Sequence, residues 1–129
     1  MTAKIIWLKR IGLILLVICL GTIIDFAVHH LSPYFSVPAV YFPHKIFYGT
    51  IWATVGYLVF KKKIKTDFWL AFVISATPAV LLQTMYFIQG HQAIWVVFLF
   101  LVLHFFMFLL PAYFICKKYK HIFLPEDII

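Results

Sequence analysis

One acidic side chain lies inside a long apolar stretch of this sequence, and a histidine follows it at helical spacing. The acidic residue is Asp25, and His29 comes four residues later, on the same face of a helix. An ionised carboxylate within a membrane is costly unless it is paired or faces protein or water. A carboxylate and an imidazole at this spacing can share a proton or bind a cation. We therefore predict an ion- or proton-binding site at Asp25, with a structural hydrogen bond between helices as the alternative.

Two further polar residues interrupt the later apolar stretches. Gln83 lies in the outer half of the third stretch, and His104 lies near the middle of the fourth. With Asp25 and His29, Gln83 is predicted to line a polar pocket that opens outward, to which His44 could contribute. His104 either extends this pocket toward the membrane midplane or makes a buried hydrogen bond to a neighbouring helix. A haem held by two histidines is not expected, because no second histidine is predicted at the depth of His104.

Four histidines are predicted at one rim of the membrane domain, since each falls near the outer end of an apolar stretch. Neutral imidazole is the commonest transition-metal ligand, and histidines from neighbouring helices could bind zinc, copper or iron. The sequence has no His-x-x-x-His pair and no His-Glu-x-x-His motif, so convergence of these histidines depends on the fold. We predict no obligatory cofactor, with a transition metal at the outer rim as the alternative. The candidate metal ligands are His29, His30, His44 and His91.

Four apolar stretches must position these side chains, and each is predicted to be a helix that spans a membrane. The first would be about 31 Å long at the rise of an α-helix, which matches a bilayer core of about 30 Å. The fold class is therefore an all-α integral membrane protein, a four-transmembrane-helix bundle in which residues 1–129 form a single transmembrane domain. The predicted helices cover 11–31, 45–60, 68–88 and 93–116.

The connections and the tail complete this prediction. Segment 32–44 carries prolines among aromatic residues, so we predict that it lies outside, at the membrane interface. The second helix is short and could begin near Tyr41, with Pro43 in its first turn, where proline is tolerated. The tail 121–129 is expected to be loosely held.

Basic residues determine the predicted orientation. Ten of the eleven Lys and Arg residues lie before the first helix, between the second and third, or after the fourth, and only Lys45 lies on the other side. Because cationic loops resist translocation, we predict a multi-pass protein with both termini cytoplasmic, N-in and C-in. The net charge of +7 is thus explained by basic residues that set the orientation of the helices in the membrane. No nucleic-acid partner is expected. A composition of 65% hydrophobic and 12% charged residues excludes a soluble domain.

Neither enzyme motifs nor resemblance to known families indicates a function for this sequence. The sequence contains no glycine-rich phosphate loop, nucleophile elbow or paired catalytic carboxylates. Its length and four-helix plan resemble small multidrug exporters and fluoride channels. A small multidrug exporter would carry a glutamate near the middle of its first helix, whereas this chain has Asp25 towards the outer end. Because likeness of length and topology does not carry function, this resemblance assigns none.

Three functions fit these observations. We expect a small polytopic membrane protein that acts as a subunit or binding module within the bilayer, because almost no mass lies outside it. The first alternative is an oligomeric transporter or channel protomer that moves protons or cations past Asp25. The second is a metal-dependent integral membrane enzyme using the outer-rim histidines. Of these roles, a non-enzymatic one is favoured. The expected partners are bilayer lipids and either further copies of the chain, as a homo-oligomer, or a larger membrane complex.

Overall fold

The computed structural model describes residues 2–90 and 93–124, and these residues form an all-helical fold. No strand occurs in either of the two described parts, so the prediction of an all-α fold is confirmed. A short 3₁₀-helix covers Pro33–Phe35. The α-helices are α1 (Ala3–His29), α2 (Tyr41–Phe60), α3 (Asp67–Gln89), α4 (Ile94–Lys118) and the short α5 (Lys120–Phe123).

Two helices begin four or more residues before the starts predicted at 11 and 45. α1 begins at Ala3 rather than Ile11, because the side chain of Thr2 caps it by accepting a hydrogen bond from the first turn at 3.3 Å. α2 begins at Tyr41, the earlier of the two predicted starts, so the segment that joins α1 to α2 is shorter than 32–44. Pro43 then lies in the first turn, where its missing N–H breaks no helical hydrogen bond.

Membrane crossing is indicated for three of the long helices. α1, α3 and α4 are each long and apolar enough to span a bilayer. α2, with 20 residues, is the shortest of the four long helices and carries His44 and Lys45 near its start. The structure therefore contains three of the four predicted helices with the length and apolar composition that crossing a membrane requires.

The four long helices pack in a closed ring. α1 contacts α2 and α4, and α3 contacts the same two helices. Trp7 of α1 packs against Tyr57 of α2, while Asp25 of α1 contacts Lys45 of α2, so these neighbours run antiparallel. We call the end that holds the loop 61–66 the basic end, and the opposite end, which holds His29, the histidine end.

Glycine allows two pairs of helices to approach closely. A Cβ atom added at Gly21 of α1 would collide with the ring of Phe108 in α4 and lie 3.1 Å from the carbonyl oxygen of Met107. A Cβ atom at Gly56 of α2 would collide with the side chain of Thr77 in α3. Such close packing provides the dispersion contacts that hold helices together in lipid, where the hydrophobic effect between helices is absent.

The C-terminal tail closes the basic end of the ring. Arg10 Nε donates a hydrogen bond to the carbonyl oxygen of Ile122 at 2.8 Å, and the Tyr57 hydroxyl donates to that of Phe123 at 2.6 Å. Both anchoring side chains are buried. The prediction of a loosely held tail is therefore wrong up to Leu124, beyond which the chain lies outside the described residues.

Candidate functional site

A buried polar cluster surrounds Asp25 near the histidine end. Oδ1 of Asp25 is 3.0 Å from Nε2 of His104 and 3.3 Å from Nε2 of His29. Oδ2 is 2.5 Å from Nζ of Lys45. Asp25, Lys45 and His104 are 0% exposed, and His29 is 5% exposed. We call these four residues the Asp25 cluster.

Three helices contribute side chains to the Asp25 cluster. α1 supplies Asp25 and His29, whose spacing of four residues places them on one helical face. α2 supplies Lys45 from its N-terminal part, and α4 supplies His104. The cluster therefore ties α1 to both of the helices that pack against it.

Lys45 reaches Asp25 between aromatic rings. Its Nζ atom is 5.5 Å from the ring centroid of Tyr41 and 5.4 Å from that of Phe108. A cation over an aromatic face is attracted by the ring quadrupole, more strongly where water is excluded. The carboxylate and the two rings thus stabilise a charge that would otherwise be expensive to bury.

His29 is held by hydrogen-bond acceptors on both sides of its ring. Nδ1 is 2.5 Å from the carbonyl oxygen of Phe35, and the ring stacks on Phe100 with centroids 4.7 Å apart. Since a carbonyl oxygen only accepts, Nδ1 must carry a hydrogen. Nε2 faces a second acceptor, the carboxylate of Asp25. This geometry fits a ring protonated on both nitrogens, or a ring whose Nε2 binds a cation.

His104 contacts both Asp25 and Tyr41. Its Nε2 atom is 3.4 Å from the Tyr41 hydroxyl, in addition to its 3.0 Å contact with Asp25. Its Nδ1 atom is buried and has no hydrogen-bond partner among the residues that the structure describes. A buried nitrogen without a partner carries a desolvation penalty, so the contacts of Nε2 must outweigh it.

The helices reach different heights at the histidine end. α4 continues from His104 to Ile94, about 15 Å at helical rise, whereas α1 continues only about 6 Å beyond Asp25. The chain after α1 packs into the resulting step, where Phe35 lies edge-on to Phe100 at 5.2 Å between centroids. His104 can therefore lie far along α4 and still contact Asp25 near the end of α1.

A cavity of about 290 Å³ opens beside the Asp25 cluster. His29 belongs to both, whereas Asp25 itself has no exposed surface. The cavity therefore opens onto His29, and reaches Asp25 only through that ring. Its lining residues are His29, His30, Ser32, Pro33, Ser36 and Val37.

No protein-family model matches this chain. No curated protein sequence and no solved structure matches it either. The chemistry of the Asp25 cluster is therefore derived from its own residues.

The predicted pocket residues separate into two groups. Asp25, His29 and His104 come together, and one ligand atom from each lies within 4.8 Å of the others, close enough for a shared metal ion. Gln83 lies elsewhere, because its Nε2 atom donates to the carbonyl oxygen of Val97 at 2.8 Å and links α3 to α4.

No three of the predicted rim histidines come together as a metal-binding group among the residues that the structure describes. His30 is exposed and its Nδ1 lies 2.7 Å from the carbonyl oxygen of Phe26. His44 is also exposed, and His29 directs Nε2 inward to Asp25. His91 lies outside the described residues. A metal site at the rim stays a prediction.

Lys45 is the member of the cluster that sequence reasoning missed. It was assigned to the outer start of the second helix as the one cation on that side. The signal was available, because a lone lysine and a lone aspartate in apolar surroundings each require a counter-charge. Pairing them would have brought α1 and α2 together at this depth.

Proposed function

We propose that this chain is a multi-pass membrane protein with four spanning helices and both termini in the cytoplasm. Three helices are long and apolar enough to cross a bilayer. α2 contacts both α1 and α3, and its buried Lys45 is neutralised by Asp25, which supports counting it as the fourth span. Ten of the eleven Lys and Arg residues lie towards the basic end, and the positive-inside rule places that end in the cytoplasm.

Within the bilayer the protein acts as a binding module, either in a homo-oligomer or as a subunit of a larger membrane complex. The observation that carries this function is the Asp25 cluster beside the cavity at His29. Ionisable side chains in a membrane domain are costly and mark sites for ions or ligands. Here four of them meet at one point, and one of the four, His29, lines a cavity.

Native mass spectrometry of the protein in lipid nanodiscs tests this function. Wild-type protein purified without chelators is expected to carry a bound mass that is not lipid. D25N/K45M replaces the ion pair with neutral side chains of similar size, and this variant is expected to fold and to lose the bound mass. Gln83→Leu changes a buried amide outside the cluster and should retain it. A wild type without any non-lipid mass would overturn the binding function.

Transport of protons or cations is the second candidate. It is supported by the polar chain that runs from the cavity through His29 and Asp25 to His104. It is disfavoured by the buried apolar side chains that fill the bundle between the cluster and the basic end, such as Ile14 and Ile18. A path across the membrane would require these helices to move apart, whereas binding requires no such motion.

A further inference from the structure

Resting on the proposed binding function, we infer that the ligand is one divalent transition-metal ion held by Asp25 Oδ1, His29 Nε2 and His104 Nε2. This set differs from the rim histidines, since it combines one rim histidine with two fully buried residues. It consists of two imidazoles and one carboxylate, which are the ligand types that suit zinc, iron, cobalt or manganese.

The separations between the three atoms fit one ion. Ligands at about 2.0–2.1 Å from a tetrahedral metal lie about 3.3 Å from one another. Oδ1 of Asp25 is 3.3 Å from Nε2 of His29 and 3.0 Å from Nε2 of His104. The third separation, between the two Nε2 atoms, is no more than 4.8 Å.

The hydrogen bonding of His29 favours a cation between its Nε2 atom and the carboxylate of Asp25 over a direct contact of these two groups. Nδ1 donates to the carbonyl oxygen of Phe35, so a neutral ring points the lone pair of Nε2 at the carboxylate of Asp25. Two acceptors facing each other repel, and a cation between them removes the repulsion. Histidines that bind metals almost always donate their other ring N–H to a carbonyl or carboxylate, as His29 does here.

Lys45 leaves the metal-facing oxygen of Asp25 free. Its ammonium group lies at Oδ2, while the two imidazoles lie at Oδ1. Outer groups orient ligating carboxylates, and Lys45 takes that position through its ion pair with Oδ2. Because its positive charge repels the bound ion, it also weakens the affinity for metal. Lys45→Met is therefore expected to bind metal more tightly, by on the order of tenfold.

Three protein ligands leave at least one coordination position open, as in catalytic rather than structural zinc sites. The cavity of about 290 Å³ lies on the same side of the cluster as His29. The three ligand atoms themselves are buried, so an ion from this cavity would reach them only past the ring of His29. The inference is limited to a bound ion.

Titration of metal-free protein in lipid nanodiscs with Co²⁺ tests the site. Wild type is expected to bind one ion and to develop visible ligand-field absorption. His29→Gln and His104→Gln are expected to weaken binding by about 100-fold. This is the upper end of the losses in metal affinity seen when an outer-shell partner of a metal ligand is mutated. His44→Gln removes an exposed histidine that does not line the cavity, and this variant should bind as wild type.

X-ray absorption of Zn²⁺-loaded wild type covers the case in which the His104 variant fails to fold. Two imidazoles and one oxygen ligand are expected around the zinc. Absence of stoichiometric binding, or full affinity in both His29→Gln and His104→Gln, would overturn the metal site. If wild type carries a different bound mass and D25N/K45M lacks it, the binding function survives without the metal. If wild type carries no bound mass, both proposals fail.

Discussion

Nζ of Lys45 lies 2.5 Å from Oδ2 of Asp25, and both side chains are fully buried between α1 and α2. Since water does not reach this pair, each charge depends on the other for its stabilisation. Removing one partner leaves an uncompensated charge, whereas removing both leaves neutral side chains of similar volume. The two residues should therefore respond to substitution as a unit.

Asp25→Asn and Lys45→Met are each expected to lower the free energy of unfolding by about 3–5 kcal/mol, because each strands a buried charge. D25N/K45M is expected to lose much less than the sum of the two single losses. Reversible unfolding in detergent micelles, followed by circular dichroism, measures all three. Lys62→Met removes an exposed lysine and serves as the control. Additive losses in the double variant would show that the pair is not coupled.

Gly21→Ala is expected to destabilise the protein by about 1–3 kcal/mol, because the added methyl group would force α1 away from Phe108 in α4. Gly12 lies in the same helix and has no neighbouring atom within 4 Å of an added Cβ. Gly12→Ala should therefore be neutral or slightly stabilising, through its higher helix propensity. Thermal denaturation compares the two, and equal midpoints would argue against close contact between α1 and α4.

Tyr57→Phe removes the hydroxyl group that donates to the carbonyl oxygen of Phe123 at 2.6 Å. The expected loss of stability is about 1 kcal/mol, the usual contribution of one hydrogen bond. Backbone amides of residues 119–124 should also exchange faster with deuterium, which mass spectrometry of peptides measures. Tyr113→Phe, at a site 40% exposed, is the matched control. Unchanged exchange in Tyr57→Phe would mean that this bond does not hold the tail.

The long helices could be predicted from hydropathy, because lipid requires continuous apolar segments whose backbone groups bond internally. For α2 the sequence allows two starts, at Lys45 or near Tyr41. In the structure Lys45 of α2 pairs with the carboxylate of Asp25 on α1, a partner that two lone charges in apolar surroundings would have suggested. The ordered tail was unpredictable, because Arg10 and Tyr57 bind its backbone carbonyl groups, and these carry no sequence signature.

The sequence places two members of the candidate site together within one helix. Asp25 and His29 are related by helical spacing alone, so their proximity follows from the sequence. The contact between Asp25 and His104 depends on how far α1 and α4 extend at the histidine end, and no local pattern reports that offset. Gln83 was placed near Asp25 by its depth, but its side chain is used in packing α3 against α4.

Labelling of single cysteines tests the proposed orientation. In a background carrying Cys19→Ala and Cys116→Ala, Ser36→Cys is expected to react with a membrane-impermeant maleimide in intact cells. Lys62→Cys is expected to react only after the membrane is opened, because cationic loops are retained in the cytoplasm. Both positions are exposed, so a difference in reactivity reports the side of the membrane rather than burial. Equal labelling of the two in intact cells would place the cavity at His29 and the basic loop on one side, and the helices between them could not then span the bilayer as proposed.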